Sequence, residues 1–352
     1  MSNVISLRDH QPVSLPTGHA RLIASFAEHR RQPDDVYWLK ENAELLGILS
    51  ATGTILTSGS LAPFDAFYAQ IEARVQFFPQ YYRFLISLCL DLEDLGMPGN
   101  KGAALCHWAD TAGLVEAELS DLQRAEARRL LARRGVVCQQ HDALTARLYE
   151  FAERSETFAM PNKKAAYELT HIVFYLSEYG ACDPQLSKQA VTSLEYVGLL
   201  AYLDQNVDLL AEVCVALRFA GQVPSAIWEA AVRSAHVNCA ITEDAGGELH
   251  DGYHAYLVTG WAMQIAGDEA FGGNIPEGSL RFSHGAGSTS ALRTMSERMF
   301  EMGQTRSDDW QQMRAHVAPY LGTDGHDVLA SAEQSTDKFE AFFAGCARAG
   351  GS

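Results

Sequence analysis

Apolar residues recur along this chain at spacings of three and four, and almost no window alternates with period two. That is its strongest constraint, because a helix and a strand bury side chains at different periods. Residues 36–52 place Trp38, Leu39, Ala43, Leu46 and Leu49 on one helical face. Asp34 or Asp35 stands ready to cap that stretch, and MPGNKG (97–102) is a turn where a helix must stop. Ser120-Asp-Leu-Gln123 has the capping-box pattern and predicts a helix start at Asp121. Roughly thirteen to fifteen helices result, and short connections make successive ones antiparallel neighbours. The expected fold class is all-α: an α/α toroid of antiparallel helix pairs or a large irregular helical bundle. No recurring residue signature marks a solenoid.

Residues 1–16, polar and carrying Pro12 and Pro16, read as a flexible arm before a single helical domain over 17–350. The longest irregular stretch, 267–287, is rich in glycine and is expected to be mobile over the mouth of a cavity.

Charge narrows the partners. The net charge of -17 repels nucleic acid phosphates and anionic lipid heads, so neither is expected. No run of 18 apolar residues exists to span a membrane, and the N-terminus lacks an apolar secretion segment. The seven cysteines are scattered without a Cys-x-x-Cys pair, which fits buried thiols in a reducing compartment. A cytoplasmic protein with a small-molecule ligand is the expectation. The oligomeric state leaves no signal.

The chemistry concentrates in 163–180, KKAAYELTHIVFYLSEYG. Glu168, His171, Tyr175 and Glu178 form one stripe on a helix whose other faces are apolar. A polar stripe on a buried helix needs partners or a ligand. Residues 251–263, DGYHAYLVTGWAM, offer a counterpart, with Asp251 and His254 three apart. Glu168, His171, Asp251 and His254 are therefore the candidate catalytic cluster, and His171 and His254 are expected to meet in the interior. Tyr175, Glu178, Tyr253, Trp261 and Arg281 are the candidate ligand-binding residues. Arg281 comes from LRFSHGAGSTSALR (280–293), which reads either as an anion-binding glycine segment or as an ordinary loop with Ser288 as helix cap. Glu-x-x-His pairs also occur in carboxylate di-iron bundles, with Glu178 or Glu195 as further ligands in that reading. The bland reading of each histidine is a buried imidazole bonded to a carboxylate or carbonyl.

DGYHAYLVTGWAM resembles the Tyr-His helix of protein prenyltransferase β-subunits, α/α toroids related to terpenoid cyclases. The resemblance implies a toroid and a catalytic zinc held by His254, with His171 the candidate second ligand. The upstream Asp-x-Cys pair of that family has no counterpart here, and DLED (91–94) departs from the cyclases' DxDD. E-L-T-H and D-x-Y-H together also resemble the marks of an all-helical bacterial family, which implies nothing about activity. Two functions stay open. One is a helical enzyme acting on a small, largely apolar or isoprenoid-like substrate through a His/carboxylate site, with or without metal. The other is a non-catalytic scaffold or ligand-binding protein with a buried His/carboxylate network.

Overall fold

The structure, a computed structural model, describes residues 18–138, 143–243, 251–285 and 290–348. The 1–16 arm, His141 and Ser288 lie outside them. Within the described residues the chain forms α1 (Gly18–Ala24), α2 (Val36–Ala51), α3 (Asp65–Phe77), α4 (Tyr82–Asp94), α5 (Lys101–Thr111) and α6 (Asp121–Ala132). Then come α7 (Leu144–Ala152), α8 (Ser155–Phe158), α9 (Lys163–Leu176), α10 (Lys188–Leu203), α11 (Val207–Phe219) and α12 (Ala226–Val237). After β1 (Ala240–Glu243), α13 (Tyr253–Ala266) and β2 (Leu280–Ser283), the chain closes with α14 (Ala291–Met302), α15 (Trp310–Val317), α16 (Thr323–Ser335) and α17 (Phe339–Ala347). The fold is all-α.

Local chemistry sets the helix starts. Asp35 accepts the Tyr37 amide at 2.8 Å, Asn162 that of Ala165 at 3.2 Å and Ser187 that of Ala190 at 3.2 Å. Each satisfies one of the donors that a first turn leaves orphaned. α6 does begin at Asp121, although the Ser120 side chain makes no capping bond.

The bundle gathers on α11, nine of whose 13 residues are buried, so it has hardly any solvent face. α9, α10, α12 and α13 pack around it, and α13 in turn packs on α2. A closed ring of helix pairs gains no support from these contacts, because a helix occupies the centre. Gly198 and Gly260 allow close approach: a Cβ on Gly198 would lie 2.5 Å from the Trp228 ring, and one on Gly260 2.4 Å from Phe271.

Two local departures from the sequence reading concern 240–283. β1 and β2 pair antiparallel, Ala240 opposite Ser283 and Glu243 opposite Leu280. β2 alternates, Leu280 and Phe282 inward, Arg281 and Ser283 outward, over a span too short for a periodicity search to separate from helix. The described part of the 267–287 stretch, 267–285, is also better anchored than its glycines suggest. Phe271, Ile275, Leu280 and Phe282 are all buried, each contributing about 1.5–3 kcal/mol of apolar burial.

Candidate functional site

Four helices bring their polar residues to one place: α2 with Glu44, α9 with Tyr167, Thr170 and His171, α11 with Asp208 and Glu212, and α13 with His254. Glu212 is the centre, 2% exposed on the most buried helix. Thr170 donates its hydroxyl to Glu212 Oε2 at 2.6 Å. His171 Nδ1 lies 3.7 Å from the same oxygen, and His254 Nε2 lies 3.7 Å from Oε1. The two imidazoles, 83 positions apart in sequence, thus flank one carboxylate.

Hydrogen bonds fix each ring. His171 Nδ1 is 2.8 Å from the Tyr167 carbonyl, which can only accept. The proton is therefore on Nδ1, and in the neutral ring Nε2 carries the lone pair. His254 Nδ1 donates to Glu44 Oε1 at 2.5 Å, while its Nε2 faces Asp208 Oδ2 at 3.6 Å as well as Glu212. Tyr167 donates its phenol to Asp208 Oδ2 at 2.7 Å. Burial alone would lower the His254 pKa, but Glu44, Glu212 and Asp208 outweigh it and raise it to about 9. Glu212 is pushed up by burial, and both imidazoles and the Thr170 bond pull it back only in part.

The cluster opens into a cavity of about 800 Å³. One wall is aromatic: Trp261 stacks on Tyr179 at 5.8 Å and meets Phe174 edge-on at 4.9 Å, and Phe219 and Tyr175 extend the surface. The far end carries Arg129, paired with Glu178 at 3.2 Å and lying 4.2 Å over the Tyr179 ring, and Arg133, held by Asp91 and Asp94. Glu178, Tyr179 and Gly180 all adopt positive φ, a left-handed turn that lines the cavity. The two non-glycine residues hold a backbone conformation there that L side chains rarely adopt. Gly180 is required, since a Cβ would lie 2.5 Å from Phe219.

Of the residues singled out in the sequence, His171, His254, Tyr175, Glu178 and Trp261 line this cavity. Four do not. Glu168 points away and meets Lys164 at 3.8 Å, because one stripe of a straight helix diverges from a point target. Asp251 sits on the other side of the α13 start, its side chain 1% exposed, gripped by Arg30 at 2.9 and 3.0 Å and accepting the Phe282 amide at 2.8 Å. Arg30 also donates to Glu41 at 2.9 Å. Tyr253 packs its ring 5.2 Å from the same guanidinium. Arg281 is exposed on the outer face of β2. Of the 280–293 glycine segment, 286–289 lie outside the described residues, and Ser290 caps α14 by accepting the Arg293 amide at 3.1 Å. Glu195 accepts from Thr336 at 2.9 Å and lies away from the cluster's partners.

Glu44, Tyr167, Thr170, Asp208 and Glu212 were missed. One signal was available: in LLAEVCVAL (209–217) Glu212 is the single charged residue of an apolar run. As the side chains stand, no three His, Cys, Asp or Glu groups among the described residues are gathered so as to hold a metal ion. The zinc implied for His171 and His254 therefore finds no preformed ligand cage.

The family model described as Domain of unknown function (DUF6902) matches residues 1–349. The chain belongs to the DUF6902 family. No curated protein and no solved structure matches it. Membership of DUF6902 carries no statement of activity. The prenyltransferase resemblance gains nothing from it.

Proposed function

We propose that this DUF6902 protein is an enzyme that binds a small, largely apolar molecule in the cavity and moves a proton on it. The observation that carries the reading is the pair of imidazoles on either side of buried Glu212, at the head of an aromatic-walled space. A cavity of about 800 Å³ suits a small ligand, and aromatic side chains with a few convergent polar groups are its usual lining. His171, with Nδ1 tied to a carbonyl, offers Nε2 as the base. His254, an imidazolium at neutral pH, is the proton donor, and Glu44 orients it. Glu212 couples the two rings electrostatically. The isoprenoid form of the expectation is supported less, because the carboxylates lining the cavity oppose a diphosphate.

A second reading, a binding protein without chemistry, is favoured by one observation. Thr170, Tyr167 and Glu44 already satisfy much of the cluster internally, as a structural network would. Incubation of the purified protein with a small-molecule extract of its own cells, followed by mass spectrometry, separates the two. Conversion of at least one ion by the wild type and not by folded Glu212→Gln is expected. Retention of a molecule without conversion supports the binding reading, and neither conversion nor retention contradicts both. The metal-assisted form is read by metal analysis: zinc at one per chain, lost in both His171→Ala and His254→Ala, supports it.

A further inference from the structure

The charge around the cavity restricts what can enter it. Six carboxyl groups line it, from Glu44 at one end to Glu178 at the other. Against them stand Lys40, Arg129, Arg133 and the His254 imidazolium. Both guanidiniums already face carboxylates: Arg129 lies 3.2 Å from Glu178, and Arg133 is held by Asp91 and Asp94. An anionic ligand would meet excess negative charge.

Glu212 is 2% exposed, and His254 Nε2 stands 3.7 Å from its Oε1. That separation is too long for a hydrogen bond. A carboxylate oxygen so placed gains from a guest that donates to it. Beside it runs the aromatic wall of Phe174, Tyr175, Tyr179, Phe219 and Trp261. That wall already holds one cation, the Arg129 guanidinium 4.2 Å over Tyr179, and aromatic faces attract organic cations by their quadrupole.

We propose that the cavity selects an organic cation, a protonated amine on an apolar body, its N–H groups donating to Glu212 Oε1 and its body lying against the Tyr175–Trp261 wall. This rests on the reading of the cavity as the functional site and names its substrate class. It also explains what His171 does. The lone pair on its Nε2 can take the ammonium proton, leaving a neutral amine with its electron pair free and a positively charged imidazole. The proton balance then closes within the cluster.

The test uses three probes on each of two skeletons, phenyl and naphthyl: the ethylamine, the ethanol and the acetate, titrated calorimetrically at neutral pH into the full chain. The amine should bind at least tenfold more tightly than the alcohol of the same skeleton, with the acetate weakest. Glu212→Gln, which keeps the shape of the side chain, should cost the amine about tenfold and the alcohol less than twofold. Alcohol binding as tight as amine binding, or acetate binding tighter, overturns the cation inference while leaving the cavity reading intact. Failure of all six probes overturns the inference and counts against the cavity as a small-molecule site as well. An amine preference that survives unchanged in Glu212→Gln overturns the assignment of Glu212.

Discussion

Glu212 and Asp251 are both buried carboxylates, and their surroundings give them opposite fates. Asp251 is paired: burial raises its pKa, but the Arg30 bonds and the Phe282 amide outweigh this and hold it below the usual carboxylate range. Removing one partner of a buried pair strands the other, at a cost of about 3–5 kcal/mol. Asp251→Ala should lose that much in urea unfolding. Glu168→Ala, which breaks only a half-exposed pair with Lys164, should change stability by about 0.5 kcal/mol or less. Equal losses would contradict the division between the Arg30 network and the rest. The His254 pKa makes a second claim at this scale. Folding raises it from 6.5 to about 9, so the folded state holds a proton that the unfolded state gives up. The resulting stability is fully present below about pH 6.5 and lost as pH climbs to about 9. Thermal melts across that window should show wild type losing stability faster than Glu44→Gln, whose His254 has lost its nearest carboxylate; parallel curves would contradict this.

At the scale of the element, α13 does two jobs with its two ends. Its start is pinned to β2 through Asp251 and the Gly252 amide, which donates to the Phe282 carbonyl at 2.9 Å. Its middle admits the Phe271 ring against Gly260. Gly260→Ala would place a methyl 2.4 Å from that ring and 2.8 Å from His236, and such overpacking costs about 1–3 kcal/mol. Gly272→Ala, with open space around its Cβ and no positive φ, should change stability by about 0.5 kcal/mol or less. A denaturant series that ranks the two the other way would show that the 267–275 stretch is not held as described. The helices themselves were legible because each carries its own periodicity, and α2 its own cap at Asp35. The short β1–β2 pair was not, since its four-residue strands are stabilised by partners far apart in sequence.

For the whole molecule, the same distinction governs the site. His171 and His254 could be found because each interrupts an apolar helix, which is a property of one segment. Glu168 and Asp251 share that property yet lie apart from the cluster, because spacing along a helix does not say which neighbour it faces. The carboxylates at the site, Glu44, Asp208 and Glu212, come from α2 and α11, and only the packing of four helices brings them to α9 and α13. The central claim is that one buried carboxylate joins two imidazoles across that packing. Nitrogen-15 NMR of the histidine side chains, followed through a pH titration, tests it most directly. His254 should remain doubly protonated until about pH 9 and shift in Glu212→Gln, and His171 should carry its neutral-form proton on Nδ1. A His254 ring that titrates near the ordinary histidine value and ignores Glu212→Gln, or a neutral His171 with its proton on Nε2, would contradict it.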